Sequence, residues 1–125
     1  MGEPVEALYA ELKARMQRGA AGMTPTEAPD GVTWHAAWPN PARPKEAMWF
    51  GRVQPRKAYV AVHLMPVYSH PELLDGLSPA LKKRMQGKSC FNFAKTEPEV
   101  FEELEALVRR CAEAYAAPFE FQRSR

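Results

Sequence analysis

The sequence predicts an α+β fold, a two-layer sandwich with helices packed on one face of a mostly antiparallel sheet. Two observations predict it. The elements follow the order α-β-β-β-α-β-α, and two consecutive strands form a hairpin. No internal repeat is present. The 125 residues suffice for one domain, 1–125, that buries roughly two-thirds of its unfolded surface.

The first helix is predicted over Pro4–Arg18, where apolar residues recur at helical spacing. Gly19 and Gly22 end it, so residues 1–22 form an N-terminal helix and loop. Met23–Gly31 contains two prolines and is predicted to be a loop. Val32–Trp38 is rich in β-forming residues and predicts a short strand.

The next segment contains three prolines, which we expect to prevent regular structure: Pro39, Pro41 and Pro44. Ala47–Val53 and Lys57–Met65 then predict a hairpin whose turn is Gln54-Pro55-Arg56. Ser69 and Glu72 have capping-box spacing and predict a helical turn through Leu74.

Ser78-Pro79 is a strong helix start signal and predicts a helix over Pro79–Gln86, ended by Gly87. Ser89–Ala94 predicts a strand with Phe91 and Phe93 on one face. Thr96 and Glu99 predict a second capping box before the final helix, Glu97–Ala116. Pro118 ends that helix, and residues 118–125 are predicted to fray. The apolar stripe of the final helix comprises Phe101, Leu104, Val108, Cys111 and Tyr115.

Strand alternation divides the predicted sheet into two faces. Val60, Val62 and Leu64 suit the helices, as do Phe91 and Phe93. In the first hairpin strand, Met48 and Phe50 share one face, whereas Trp49, Gly51 and Val53 share the other. The second face would then carry Trp49, Tyr59, His63, Met65, Cys90 and Asn92.

That second face is too apolar to remain in water, so it should be covered. We expect the segment Trp34–Pro44 to cover it. A second subunit and a bound ligand are the alternatives.

Composition narrows the class of partner. The net charge is +2, from 17 basic and 15 acidic residues, which indicates neither a nucleic acid nor a membrane as partner. The two cysteines form neither a disulfide framework nor a metal-ligand pattern. No apolar leader is present at the N-terminus. The prediction is a cytoplasmic protein without a cofactor.

Three groups of residues are candidates for chemistry. Cys90 and His63 come together if their strands pair, which is the arrangement of a nucleophilic or metal site, although burial explains both residues. Glu99, Glu102 and Glu103 can share one side of the last helix and bind a hard cation, although carboxylates also suit a helix N-terminus. The tryptophans Trp34, Trp38 and Trp49 suit stacking or the core.

Basic residues surround Gly87: Lys82, Lys83, Arg84 and Lys88. They predict an anion site at the turn, although cations also suit a helix C-terminus. Gly87-Lys88-Ser89 imitates the end of a P-loop. The first glycine is missing and a helix precedes the loop, so nucleotide binding of that type is rejected.

The stretch AYVAVHLMPVYSHPELLDGLSPALKKRMQGKSCFNF, Ala58 to Phe93, resembles the YdhG-like family of bacterial domains of unknown function. The resemblance covers about Ala47–Tyr115, and KRMQGKSCFNF is its most specific part. It implies a small α+β fold. One branch is described as frataxin-like, which implies an iron chaperone with an acidic first helix. Here the first helix mixes Glu6 and Glu11 with basic residues.

Together these observations predict a non-enzymatic domain that binds a small anionic ligand or a protein partner. The predicted site combines the open sheet face with the basic turn. The alternatives are iron binding at the three glutamates, an enzyme that uses Cys90 or His63, and a homodimer. The predicted ligand-binding residues are Trp49, Tyr59, His63, Arg84, Lys88, Ser89 and Asn92.

Overall fold

The computed structural model describes residues 4–116, which form a five-stranded antiparallel sheet with helices on one face. The predicted α+β class is confirmed. Sheet order follows chain order. The strands are β1 (Thr24–Ala28), β2 (Gly31–Asn40), β3 (Arg43–Pro55), β4 (Val60–Leu64) and β5 (Cys90–Phe93). The helices are α1 (Val5–Gly19), α2 (Met65–Ser69), α3 (Pro79–Lys82) and α4 (Pro98–Ala114), and a 3-10 helix spans Pro71–Leu74.

The two long helices form as their apolar spacing predicts. Leu8, Leu12 and Met16 of α1 are buried. The predicted stripe of α4, which continues to Tyr115, is buried along its whole length. Phe93 of β5 meets Phe101 of α4 edge-on, with ring centroids 5.2 Å apart. The apolar sides of both helices therefore supply one layer of the core.

The loop predicted over Met23–Gly31 is wrong, because Thr24–Ala28 forms β1. This strand is exposed throughout and pairs with β2. Edge strands tolerate proline, since one side of their backbone needs no hydrogen-bond donor. Pro25 and Pro29 therefore did not exclude a strand here.

The expectation that three prolines prevent regular structure is also wrong. β2 continues to Asn40 and β3 begins at Arg43, and these two residues pair across the hairpin turn. The Asn40 side chain accepts a hydrogen bond from the Ala42 amide at 2.9 Å, which stabilises that turn. The segment lengthens the sheet, and its Trp38 belongs to the buried core.

A β-bulge at Phe50 changes which β3 residues face the helices. Trp34 pairs with Gly51, but His35 pairs with Trp49, so Phe50 is the extra residue. Gly51 and Val53 pair with helix-facing residues of β4, so their predicted place beside Trp49 is wrong. A β-carbon on Gly51 would lie 2.8 Å from the His63 carbonyl oxygen and 3.2 Å from Met16 Cε. The close approach of the β4 backbone therefore favours glycine here.

Several helices and strands begin or end at residues other than those predicted. The turn between β3 and β4 closes through a hydrogen bond from the Arg56 amide to the Tyr59 carbonyl, later than the predicted Gln54–Arg56 turn. Met65 begins α2 instead of ending a strand. α3 has only four residues, although its predicted cap is confirmed: Ser78 Oγ accepts from the Leu81 amide at 3.2 Å.

The capping box predicted from Ser69 to Glu72 does not form. Ser69 lies at the end of α2, and its hydroxyl is 3.2 Å from the Tyr115 hydroxyl instead of capping the next turn. The Ser69 side chain is therefore used in a tertiary contact, which capping-box spacing cannot reveal. The final helix begins at Pro98, with Glu97 as its N-cap residue.

The outer edge of β5 is covered by the chain that precedes it. Met85 forms a bridge with Phe91, the Gln86 amide donates to the Cys90 carbonyl at 2.7 Å, and the Asn92 amide donates to the Arg84 carbonyl at 2.7 Å. This pairing leaves Lys88 at the tip of a tight turn. It also ends the predicted Pro79–Gln86 helix early.

None of the helices within residues 4–116 has the length and apolar character needed to cross a membrane. The predicted frayed segment 118–125 and the predicted helix end at Pro118 lie outside the described residues.

Candidate binding face

The sheet face opposite the helices carries a continuous row of side chains across four strands. Thr33 pairs with Arg52, Arg52 with His63, and His63 with Cys90. Paired residues of antiparallel strands lie on the same face, with β-carbons roughly 5 Å apart. Both the histidine and the cysteine are half-buried. The row therefore places a guanidinium, an imidazole and a thiol side by side.

An aromatic group lies next to this row. The ring centroids of Trp49 and His63 are 6.2 Å apart, with an angle of 53° between the ring planes. Trp49 pairs with His35 and is half-buried. The bulge at Phe50 makes this proximity possible, because it leaves both Trp49 and Arg52 on the open face. A half-exposed indole here offers an apolar surface beside polar groups.

A second row lies one step along the strands. Gln54 pairs with Ala61, which pairs with Asn92. Ala61 is only 3% exposed although its side chain points away from the helices, so neighbouring longer side chains cover it. The Asn92 side chain carbonyl lies 3.6 Å from Cys90 Sγ and accepts its weak hydrogen bond. The two rows thus form one connected polar surface.

Two arginines dominate the charge of this face. Arg52 Nε donates to Thr33 Oγ1 at 3.1 Å, and Arg56 Nη2 donates to Gln54 Oε1 at 3.2 Å. Within residues 4–116, neither guanidinium forms a salt bridge with a carboxylate. The nearest link to an acid is indirect, since Gln54 Nε2 donates to Asp30 Oδ2 at 3.3 Å. Both positive charges therefore remain available to an anion.

The ionisation of the central residues reflects burial and this positive charge. Partial burial, followed by repulsion from Arg52 and Arg56, lowers the pKa of His63. Burial raises the pKa of the Cys90 thiol, and the Arg56 charge offsets this effect in part. The neutral thiol is therefore favoured, which is the opposite of what a thiolate nucleophile needs. Cys90 and His63 are brought together, but as a neutral pair.

The structure brings three of the predicted binding residues to this face. Trp49, His63 and Asn92 lie on it, and Tyr59 is exposed at the turn where β4 begins. The predicted cover is wrong, because the segment from Trp34 to Pro44 is paired within the β2–β3 hairpin. Met65, also predicted on this face, is a half-buried residue of α2 that packs against the core.

The basic turn does not share this face as a unit. Arg84 forms a bidentate ion pair with Glu97, at 2.8 Å from Nε to Oε1 and 2.7 Å from Nη2 to Oε2. Its charge is thus neutralised by the start of α4. The Ser89 carbonyl accepts from the Leu64 amide at 2.9 Å, which holds the turn against β4. Lys88 lines a separate surface cleft together with residues of α2.

The three glutamates predicted to bind a cation are not assembled into a site. Glu103 accepts hydrogen bonds from the Ser78 amide at 2.8 Å and the Ser78 hydroxyl at 2.5 Å, so it anchors the start of α3. Glu99 and Glu102 are exposed. Across residues 4–116, no three histidine, cysteine, aspartate or glutamate side chains are grouped to hold a metal ion.

Sequence reasoning missed Arg52, Arg56 and His35 as members of the face. Simple alternation from Phe50 assigns Arg52 to the helix side. One signal was present: Phe50 and Gly51 are adjacent, and a charged residue then separates Gly51 from Val53. An arginine seldom points into a core, so this pattern indicates a change of phase at a bulge.

In comparisons with known proteins, no family model, curated protein or solved structure matches this chain. The resemblance to YdhG-like domains stays a prediction.

Proposed function

We propose that this protein is a non-enzymatic binding domain whose open sheet face holds a small anion with a planar group. One observation carries the proposal. Arg52 is paired with His63 on a half-exposed face, Arg56 donates to Gln54 in the neighbouring row at 3.2 Å, and neither arginine has a carboxylate partner among residues 4–116. Guanidinium groups bind carboxylates and phosphates through paired, charge-assisted hydrogen bonds.

The aromatic neighbours define the rest of the ligand. The indole of Trp49 lies beside His63 and offers a flat apolar surface for stacking. Tyr59 adds a second exposed ring, and Asn92 supplies an amide for a directional hydrogen bond. A planar anion uses all of these groups at once, whereas a simple inorganic ion uses only the arginines.

Binding is favoured over catalysis by the state of the potential nucleophile. The pKa of the Cys90 thiol is raised by burial, so at neutral pH the thiolate is disfavoured. Within residues 4–116, His63 makes no hydrogen bond to the Cys90 sulfur, and the residues paired with it in the neighbouring strands, Arg52 and Cys90, are not carboxylates. The enzymatic alternative therefore has less support than binding.

A homodimer across this face is disfavoured by its charge. A twofold dimer places the same patch of both subunits in contact, so the Arg52 and Arg56 side chains of two copies would converge. Like charges without intervening anions repel. We therefore propose a ligand as the occupant and a cytoplasmic setting, in which Cys90 and Cys111 stay reduced as the free thiols they are here.

The proposal is tested by an NMR titration with adenosine monophosphate as a probe that combines a planar ring and a phosphate. Adenosine and inorganic phosphate, the two halves of this probe, are titrated separately as controls. We expect saturable shifts of the Trp49 indole N–H and the His63 imidazole signals. The Trp34 and Trp38 indoles are internal controls, because they are buried and hydrogen-bonded to Gln17 and to the Tyr115 carbonyl.

Two variants with the same loss of charge distinguish a site from general attraction. Arg56→Gln should weaken binding of the probe roughly tenfold, because it removes a charge-assisted contact. Lys57→Gln removes a neighbouring exposed charge in the same turn and should change binding little. Equal losses in both variants, or no movement of the Trp49 signal, would overturn the proposal.

A further inference from the structure

A concave surface lies away from the sheet face, between α2, the 3-10 helix and the turn that precedes β5. It is a cleft of about 630 Å³, within the size range of small-molecule sites. Residues from three separate segments line it: Val67, Tyr68, Pro71, Leu74, Met85, Gly87 and Lys88.

The cleft has an apolar floor and an exposed aromatic wall. Val67 is buried, whereas Leu74 and Met85 are half-buried against the core. Tyr68 is 58% exposed, and the only other exposed large apolar side chain within residues 4–116 is Tyr59, at 36%. An aromatic ring held in water beside aliphatic side chains leaves apolar surface that a ligand can bury.

Backbone hydrogen bonds hold the walls of the cleft in place. The His70 amide donates to the Pro66 carbonyl at 2.7 Å, which closes the end of α2. On the opposite wall, the pairing of Met85 with Phe91 anchors the turn to β5. Gly87 adopts a φ of +81°, a conformation that glycine tolerates and that lets the chain reverse tightly before Lys88. The cleft is therefore preformed.

Charge at the cleft comes from one residue. Among the described residues that line it, Lys88 is the one basic residue, and it makes no salt bridge within residues 4–116. A single ammonium group complements one negative charge. A doubly charged phosphate would leave part of its charge unmatched beside an apolar floor, which is unfavourable.

We propose that this cleft binds a small carboxylate with an apolar tail, with the tail among Val67, Leu74 and Met85 and the carboxylate at Lys88. The site is independent of the sheet face, because it shares no lining residue with Trp49, Arg52, Arg56 or His63. Tyr68 forms the side wall against which the tail packs.

The test uses hexanoate as the probe and follows methyl and amide NMR signals. Hexanoate should shift the signals of Val67, Leu74, Met85 and Lys88 in a saturable way, with a dissociation constant of about millimolar order for so small a ligand. Acetate lacks the tail and hexanamide lacks the charge, so each should bind several-fold more weakly. The Trp49 and His63 signals should stay unchanged, which separates this site from the sheet face.

Three exposed positions supply variants that should fold normally. Lys88→Gln should weaken hexanoate binding roughly three- to tenfold. Lys83→Gln removes an equal charge from an exposed residue outside the cleft and is the matched control. Tyr68→Ala should weaken binding by removing the wall. The inference is overturned if hexanamide binds as well as hexanoate, if Lys83→Gln and Lys88→Gln have equal effects, or if no saturable shift occurs at the cleft.

Discussion

Trp38 donates its indole N–H to the backbone carbonyl of Tyr115 over 2.8 Å, and the two ring centroids lie 5.3 Å apart. The contact joins the far end of β2 to the residue that follows α4. Tyr115 also meets Phe50 edge-on at 6.0 Å, next to the bulge that shapes the binding face. The end of α4 therefore supports the strand segment that carries Trp49.

Replacement of Trp38 by phenylalanine should destabilise the protein by about 1–3 kcal/mol. The change removes the donor and leaves the Tyr115 carbonyl without this bond in a buried position. Urea unfolding, followed by far-ultraviolet circular dichroism, measures the difference. Trp49→Phe is the control, since Trp49 is half-exposed, and should cost less. Equal losses would show that indole volume, and not the hydrogen bond, is responsible.

The ion pair between Arg84 and Glu97 should make stability depend on pH in the acid range. The hydrogen bonds from Arg84 lower the pKa of the Glu97 carboxyl, and this effect exceeds the opposing effect of burial. The unfolded chain then binds the proton more readily than the folded one. The contribution of this ion pair to the free energy of unfolding is complete above the ordinary glutamate pKa of about 4.3. It is lost as pH falls through the lower pKa that Glu97 has in the folded protein.

Arg84→Gln should therefore reduce stability at pH 7 by about 1 kcal/mol, and the gap from the unmodified protein should narrow as pH falls below about 4. Denaturant unfolding at several pH values measures it. Arg43→Gln is the matched control, because its contact with Glu46 is 3.8 Å long and largely exposed. A gap that stays constant down to pH 2 would contradict the assignment.

The His63 imidazole should titrate at higher pH in Arg56→Gln than in the unmodified protein. Burial is the first cause of its lowered pKa, and repulsion from Arg52 and Arg56 follows. Removal of one repelling charge therefore favours the protonated ring. NMR titration of the imidazole signals measures this, with Lys57→Gln as control. An unchanged or lower pKa in Arg56→Gln would place Arg56 away from the ring.

Anion binding and His63 protonation should be coupled. A bound anion favours the charged imidazolium, so affinity for adenosine monophosphate should rise as pH falls through the His63 pKa, below the ordinary value of about 6.5. The phosphate's own second ionisation also lies near pH 6, so a sulfonate-bearing planar anion that keeps its charge is the appropriate control probe. If the affinity for the sulfonate does not change with pH, His63 is not part of the anion site.

Cys90 should react slowly with iodoacetamide at neutral pH and faster as pH rises above its ordinary range. Burial raises the pKa of its thiol, and burial raises that of Cys111 to about 12. The alkylation rate between pH 6 and 9 measures the thiolate fraction, and Cys90→Ser gives the background from Cys111. Rapid alkylation at pH 6 would revive the enzymatic alternative.

The amphipathic elements could be predicted from sequence because burial follows spacing directly. The stripe from Phe101 to Tyr115 and the pair Phe91 and Phe93 are buried as their periods predict. Part of the candidate binding face was predictable in the same way, since alternation from Val62 assigns His63 to the side opposite the helices. The cap at Ser78 has a local cause and was also predictable.

Other features depend on contacts between distant segments, which local patterns do not contain. β1 forms because the edge of β2 accepts it despite Pro25. Arg52 lies on the open face because the bulge at Phe50 shifts the alternation of β3. The sequence by itself thus determined the fold class and the core faces, through periodic burial. Only the tertiary structure decided which charges meet on the open face, because strand register and bulges depend on packing across the whole sheet.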